Sequence, residues 1–216
     1  MIEGCAKRRS ARTLPSLLGA LDAIRAVDVS HTAGFGGWDA SGQAPYATWR
    51  DFLLAVEADT PDRRTHGWRS ELARSVVGDS NFAQGLACLT EVSGDSPPIR
   101  HVVHADLINR NVLVGDHQIN AVLDWGCSTY GDPLYDIAWL EHWAPWHPGL
   151  AAIDIRAEAR RQHEALGLAT SDFDRRIRGC ALHIGLDHQA YNAWLQDEDA
   201  LIAVVERTQH HIDGDR

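Results

Sequence analysis

From His104 to Asn111 the chain reads HADLINRN, and the residues just after that loop leave few choices of fold. An apolar run, Val112 to Val114, meets a polar turn at Gly115 to Gln118; a second apolar run, Ile119 to Leu123, then ends on Asp124-Trp125-Gly126. Two such runs around a short turn predict a β-hairpin. A tight hairpin returns the chain antiparallel, so Asn111, just before the first strand, and Asp124, just after the second, lie side by side at one end. Two hard oxygen donors in that position suit Mg²⁺.

The same stretch holds the parts that phosphoryl transfer asks of a protein. That chemistry is mostly positioning and charge neutralisation: a carboxylate facing the attacking hydroxyl, and oxygen ligands holding metal on the phosphates. Asp106 is the candidate to orient an acceptor hydroxyl and take its proton, while Asn111 and Asp124 are the candidate metal ligands. His104 completes an H-x-D-x-x-x-x-N pattern as a further candidate catalytic residue, better suited to brace the loop than to react. Taken singly these signals are weak, because Asp and Asn most often mark turns. Their ordered combination is strong.

The combination His104-Ala105-Asp106 through Asn111, then Asp124-Trp125, then Gly131-Asp132-Pro133 with Asp136 and a Trp-rich helix, resembles the aminoglycoside phosphotransferase family. Within it, the wording Ala-Val-Leu-Asp-Trp and the run Trp143-Ala144-Pro145-Trp146 look most like the hygromycin-B kinases. The resemblance implies a protein-kinase-like fold, ATP and Mg²⁺ as cofactors, and transfer of the γ-phosphate to an antibiotic hydroxyl. It covers the C-terminal lobe, from about Thr13 to the last helices. The fold class expected is therefore α+β, mainly α-helical, with a small β-hairpin carrying the catalytic and metal residues. Family members place substrate contacts on the helix after the metal strand, which here offers Asp136 and Trp139. They also receive the ammonium groups of the sugar on acidic C-terminal helices, which here offer Asp187, Asp197 and Glu198. Ala105 departs from the family by standing where many members have Gly, and Ile108-Asn109-Arg110 makes the loop interior bulkier than usual.

Composition fits such a chain. Its 216 residues, 44% apolar and 23% charged, suit one globular lobe with a real core. A net charge of −10 argues against nucleic acid or an anionic membrane surface as partner and suits a polycationic aminosugar. Cys5, Cys88, Cys127 and Cys180 show no C-x-x-C spacing, so neither a disulfide framework nor a zinc cluster is indicated. No apolar run approaches the ~18 residues of a membrane span, and Lys7-Arg8-Arg9 precedes no signal-peptide core. The expected location is cytoplasmic.

Along the chain, residues 1–12 lack periodicity and are expected to fray. Leu14, Leu17, Leu18, Leu21, Ile24 and Val27 then fall at helical spacing, with Thr13 as N-cap and Pro15 in the first turn. Ser30 to Pro45 reads as a long loop; its Gly34-Phe35-Gly36-Gly37 follows no strand and precedes no Lys, so a surface turn is the better reading than a phosphate loop. Helices are predicted around Trp49 to Val56, Asp62 to Val77 and Asn81 to Val92, with a break at Gly94 to Pro98. A short apolar run, Ile99 to Val103, leads into the loop. Asp132-Pro133 predicts an N-cap for the helix of Leu134, Ile137 and Leu140. Further helices are expected over about Ile153–Leu166, Ser171–Leu195 and Glu198–His210, with Ser171 and Asp174 patterned as a capping box. The twelve histidines contain no H-E-x-x-H, so a histidine metal enzyme is disfavoured.

A kinase of this fold also needs a glycine-rich hairpin and a strand Lys on the nucleotide phosphates. The single lysine, Lys7, lies in a segment with no strand character, so the N-terminal nucleotide lobe is expected to be absent. That leaves two readings. One is a phosphotransferase completed by a longer chain or a partner lobe. The other is a non-catalytic remnant that binds an aminosugar or a metal without turnover. Either would leave apolar surface through which the chain self-associates.

Overall fold

Leu14, Leu17, Leu18, Leu21 and Ile24 are all buried, forming the apolar face of helix α1, Ile2–Arg25. The helix extends back through the segment expected to fray, whose Ala and Arg residues favour helix, and carries Pro15 inside it. Val27 lies past its end and is half-exposed. The computed structural model describes residues 2–94, 99–108 and 110–214, with side chains from Arg12 onward. Asp95 to Pro98 of the predicted break, and Asn109, lie outside the described residues.

The remaining helices are α2 (Trp49–Leu54), α3 (Trp68–Arg74), α4 (Ser80–Val92), α5 (Leu134–Trp143), α6 (Ile155–Ala165), α7 (Phe173–Leu195) and α8 (Glu198–Asp213). The strands are β1 (His101–Val103), β2 (Val112–Gly115), β3 (Gln118–Val122) and β4 (Thr129–Gly131). The chain gathers into two compact units, each built from segments distant in sequence: Met1–Trp49 with Pro97–Ile177, and Arg50–Ser96 with Arg178–Arg216.

In the first unit, α1 packs on β1 and β3, and α5 packs on α6. β2 and β3 form the expected hairpin, pairing Val112 with Val122. Asp116 and His117 both take positive φ (50° and 63°), which is how a two-residue turn matches strand twist. The Ser16 hydroxyl of α1 accepts the Ile119 N–H (2.9 Å), fixing the hairpin to the helix. A second sheet, not foreseen, pairs β1 with β4 antiparallel. The predicted loop at Ser30 to Pro45 is folded onto it: Gly36 bridges Tyr130, and Trp38 stacks on the Tyr130 ring at 4.3 Å. Gly34 sits at φ 76° with the Ala44 carbonyl where a Cβ would be, so glycine is required by that turn and not by a phosphate.

In the second unit, α4 packs on α8 around buried Phe82, Leu89, Leu201 and Val204. The helix predicted over Asp62 to Val77 shortens to α3, because the Asp59 carboxylate accepts the N–H groups of Gly67 (2.7 Å) and Arg69 (3.2 Å) and holds the preceding residues in turns. His183 of α7 is buried against Phe52 (5.1 Å), and burial lowers its pKa to about 4. His188 turns Nδ1 to the Ile184 carbonyl four residues back (2.9 Å), a local bond that competes with any metal. Among the described residues no group of three His, Cys, Asp or Glu is placed to hold a metal, and no helix is long and apolar enough to cross a membrane.

Candidate active site

The H-x-D-x-x-x-x-N loop leaves β1 at His104, whose side chain is fully buried. Its Nε2–H donates to the Leu123 carbonyl (2.9 Å), while Nδ1 accepts the Asp106 N–H (3.3 Å). A carbonyl can only accept and an N–H can only donate, so these two bonds select the tautomer with the proton on Nε2. The Trp125 ring closes over it edge-on at 4.9 Å. His104 thus ties the loop to the end of β3 and has no exposed nitrogen with which to react. Its expected role as a brace fits this geometry, and its candidacy as a reacting group does not.

Ala105 turns the chain at φ 62°. A side chain in the left-handed region costs roughly 1–2 kcal/mol, partly offset in a glycine by the ~0.5–1 kcal/mol of extra chain entropy lost on folding. Ala105→Gly is therefore expected to stabilise the protein by under about 1 kcal/mol, read as a higher urea midpoint at unchanged slope. A lower midpoint would show that the Ala105 methyl packs usefully.

A carboxylate holds this turn. Asp136, buried on the first turn of α5, accepts the N–H of His104 on Oδ2 (3.0 Å) and of Ala105 on Oδ1 (2.8 Å). Burial pushes its pKa up to about 6, against the pull of those two N–H groups and of His104. The N-cap of the same helix is Pro133, one residue after the Asp132 expected there, and Asp132 accepts the Leu134 N–H on Oδ1 (3.0 Å). Both its oxygens also meet Arg176, at 2.7 Å each, in a pair buried on both sides.

Asn111 Nδ2 donates to the carbonyl of Asp106 (2.7 Å) and to its Oδ2 (2.9 Å). With the nitrogen so committed, the amide oxygen is the face left for a cation. The Asn111 carbonyl accepts the Leu123 N–H (2.8 Å), so Asp124 follows directly on the residue paired with Asn111. Asp124 is exposed and held at φ 56°. Non-glycine residues in that region concentrate at functional sites. An amide oxygen and a carboxylate on backbone positions so paired are donors of the kind Mg²⁺ takes, one or two protein oxygens with water and phosphate completing its octahedron.

Residues 6–176 match the sequence profile of the phosphotransferase enzyme family. The chain belongs to that family. A hygromycin-B 4-O-kinase of Escherichia coli is 36% identical to it over 207 residues, 88% of this chain and 56% of that kinase. The aminoglycoside phosphotransferase APH(4)-Ia matches in structure with a TM-score of 0.79 at 30% identity, covering 96% of this chain and 66% of the other. A thermostable mutant of APH(4)-Ia, solved as a ternary complex with AMP-PNP and hygromycin B, matches with a TM-score of 0.78 at 29% identity and the same coverage. The fold is thus the kinase-like one of the aminoglycoside phosphotransferases, mostly helical with small sheets, and the chain spans little more than half the length of the E. coli kinase.

Within this family fold, His104, Asp106, Asn111, Asp124 and Asp136 fall together in the first unit. The proposed substrate contacts fare differently. Asp136 accepts a loop N–H on each oxygen, so it braces the loop. Trp139 is buried, with its ring edge-on to Trp143 at 5.8 Å, and reads as core. Asp187, Asp197 and Glu198 belong to the second unit. Asp197 accepts the Ala200 N–H (3.1 Å) as the N-cap of α8, which accounts for that carboxylate structurally. Arg176 is the residue that sequence reasoning missed. Its signal was a lone Arg on the apolar stripe Phe173, Arg176, Ile177, Cys180 of α7.

Proposed function

We propose that this chain is the catalytic portion of an ATP- and Mg²⁺-dependent O-phosphotransferase acting on a hydroxyl of a hygromycin-B-like aminoglycoside. The observation that carries the reading is the Asp106–Asn111 clasp, set in register with Asp124 on a loop held by His104 and Asp136. Asp106 orients the acceptor hydroxyl and accepts its proton as the oxygen attacks. Asn111 and Asp124 hold Mg²⁺, which, when bound, neutralises the phosphate oxygens. Asn111 also steers Asp106 through its amide nitrogen, so one side chain sets both the base and the metal. The net charge of −10 favours approach of a polycationic sugar.

Nucleotide grip is the part this reading assigns elsewhere. The sequence holds one lysine, Lys7, and no glycine-rich strand-turn-strand precedes β1 among the described residues. Leu113, Leu123 and Trp125, exposed on and beside the hairpin, offer apolar surface for a nucleotide-holding lobe to cover. A second reading is aminosugar binding by this chain without turnover.

The purified chain is to be titrated with hygromycin B and with Mg²⁺-ATP, and transfer of labelled phosphate measured for wild type and Asp106→Ala. Transfer that disappears in the variant, with fold intact by circular dichroism, is the expected result. Transfer unaffected by the substitution would overturn the assignment of Asp106. Tight aminosugar binding with no transfer would select the second reading, and neither binding nor transfer would sink both.

A further inference from the structure

Beneath the catalytic-type loop lies an apolar cleft that the reaction does not use. Leu14 and Leu17 of α1, Leu107 and Ile108 of the loop, and Val114 and Ile119 of the hairpin form its walls, and the turn at His147 to Leu150 closes one side. Its volume is about 330 Å³. An engineered cavity of ~150 Å³ holds one benzene, and ligand pockets start near ~300 Å³, so this cleft has room for a two-ring molecule.

Its chemistry narrows the occupant. No Asp, Glu, Lys or Arg lines it; the polar groups are the Thr13 hydroxyl and His147, whose pKa burial lowers. A polycationic sugar or a nucleotide would be stripped of water there with no countercharge. The cleft is therefore separate from the sites for the substrates of phosphoryl transfer. It is nonetheless wired to them. Ile108 donates its N–H to the Asp106 carbonyl (3.1 Å) and accepts the Asn111 N–H on its own carbonyl (2.8 Å), so one wall residue links the proposed base to the proposed metal ligand.

We infer that this cleft binds an uncharged, largely apolar small molecule of about two fused rings, and that its occupation stiffens the Asp106–Asn111 loop. Ile108 held against a ligand cannot shift without displacing both of its hydrogen bonds. The binding half is independent of the function proposed above.

The probe is 2-naphthol, with 2-naphthalenesulfonate as its charged counterpart, titrated calorimetrically into the full chain. From its size, a dissociation constant on the order of 100 μM is expected for the naphthol, and binding at least about tenfold weaker for the sulfonate. Val114→Phe narrows the cleft at a half-exposed position and is expected to weaken the naphthol at least about tenfold. Leu113→Phe, at the neighbouring position that is not part of the wall, is expected to leave it within about twofold. Hydrogen exchange at the amides of Ile108 and Asn111 is expected to slow at least about threefold at saturation. No binding at millimolar probe, equal binding of the sulfonate, or equal loss in both variants would overturn the site. Binding with exchange unchanged would overturn the stiffening.

Discussion

Between pH 4 and pH 7 the wild-type protein is expected to lose about 2.5 kcal/mol of folding stability relative to an Asp136→Asn variant. The pKa of Asp136 stands at about 6 in the folded chain against an ordinary value of 3.8. Each unit of difference is worth ~1.4 kcal/mol. A raised pKa means that the native state holds the proton over a range where the unfolded chain has released it. The associated stability is therefore fully present below about pH 4 and is lost as pH rises through about 6. Asn does not titrate, so the difference between the two proteins, measured by urea unfolding at several pH values, isolates this carboxyl. An Asn oxygen accepts only one of the two N–H groups now bonded to Asp136, leaving a buried donor at a cost of ~1–3 kcal/mol. The variant should accordingly be the weaker protein at pH 4 and gain on wild type towards pH 7. A pH-independent difference would mean that the two N–H bonds outweigh burial and that Asp136 titrates normally. In either case, amide exchange from His104 to Asn111 should quicken in the variant, because the turn at Ala105 has lost half of its clamp. If phosphoryl transfer is the reaction, a loop loosened by ~1 Å can cost on the order of 100-fold in rate.

Why the site could be foreseen and its clamps only partly comes down to how far apart the partners lie. Asp106, Asn111 and Asp124 declare themselves by identity and order, and the hairpin that joins them is local: its alternation, turn and register are all set within the span from Val112 to Val122. Helix boundaries at Ser80–Val92, Ile155–Ala165 and Glu198–Asp213 lie close to expectation for the same reason, since 3.6-residue periodicity is a local signal. The pairing of β1 with β4 is not local. Nor is the docking of Gly36 on Tyr130, or of the Arg100 guanidinium on the Thr32 and Val29 carbonyls (both 2.8 Å), and nothing in three-residue strands or a Gly-rich loop announces them. The shortening of α3 shows the converse, a local competitor overlooked: one Asp59 carboxylate binding two downstream N–H groups holds in turns what propensity reads as helix. Carboxylate roles depend on such partners: Asp136 accepts the His104 and Ala105 N–H groups, one on each oxygen, and Asp197 accepts the Ala200 N–H on Oδ1.

Arg176→Ala is expected to cost about 3–5 kcal/mol, the range for removing one partner of a buried ion pair. The loss comes less from the missing attraction than from what remains: an Asp132 carboxylate that is almost wholly buried, with the Leu134 N–H as its other donor. That residue sits between β4 and α5, so its displacement moves the strand paired with β1, from which the catalytic-type loop departs. Removing the charge from both sides tests this account. Asp132→Asn keeps an oxygen for the Leu134 N–H while discarding the charge, and Arg176→Met fills most of the volume with apolar atoms. The double variant should recover most of the stability lost by Arg176→Ala, since buried pairs replaced by well-packed neutral groups are often neutral in effect. Urea unfolding monitored by tryptophan fluorescence compares wild type, Arg176→Ala and the double variant. A single-variant loss below about 1 kcal/mol would indicate that water reaches the pair and that it behaves as a surface bridge. A double variant no better than Arg176→Ala would indicate instead that the two 2.7 Å bonds orient Asp132, and that orientation, rather than charge balance, is what holds β4 to the start of α5.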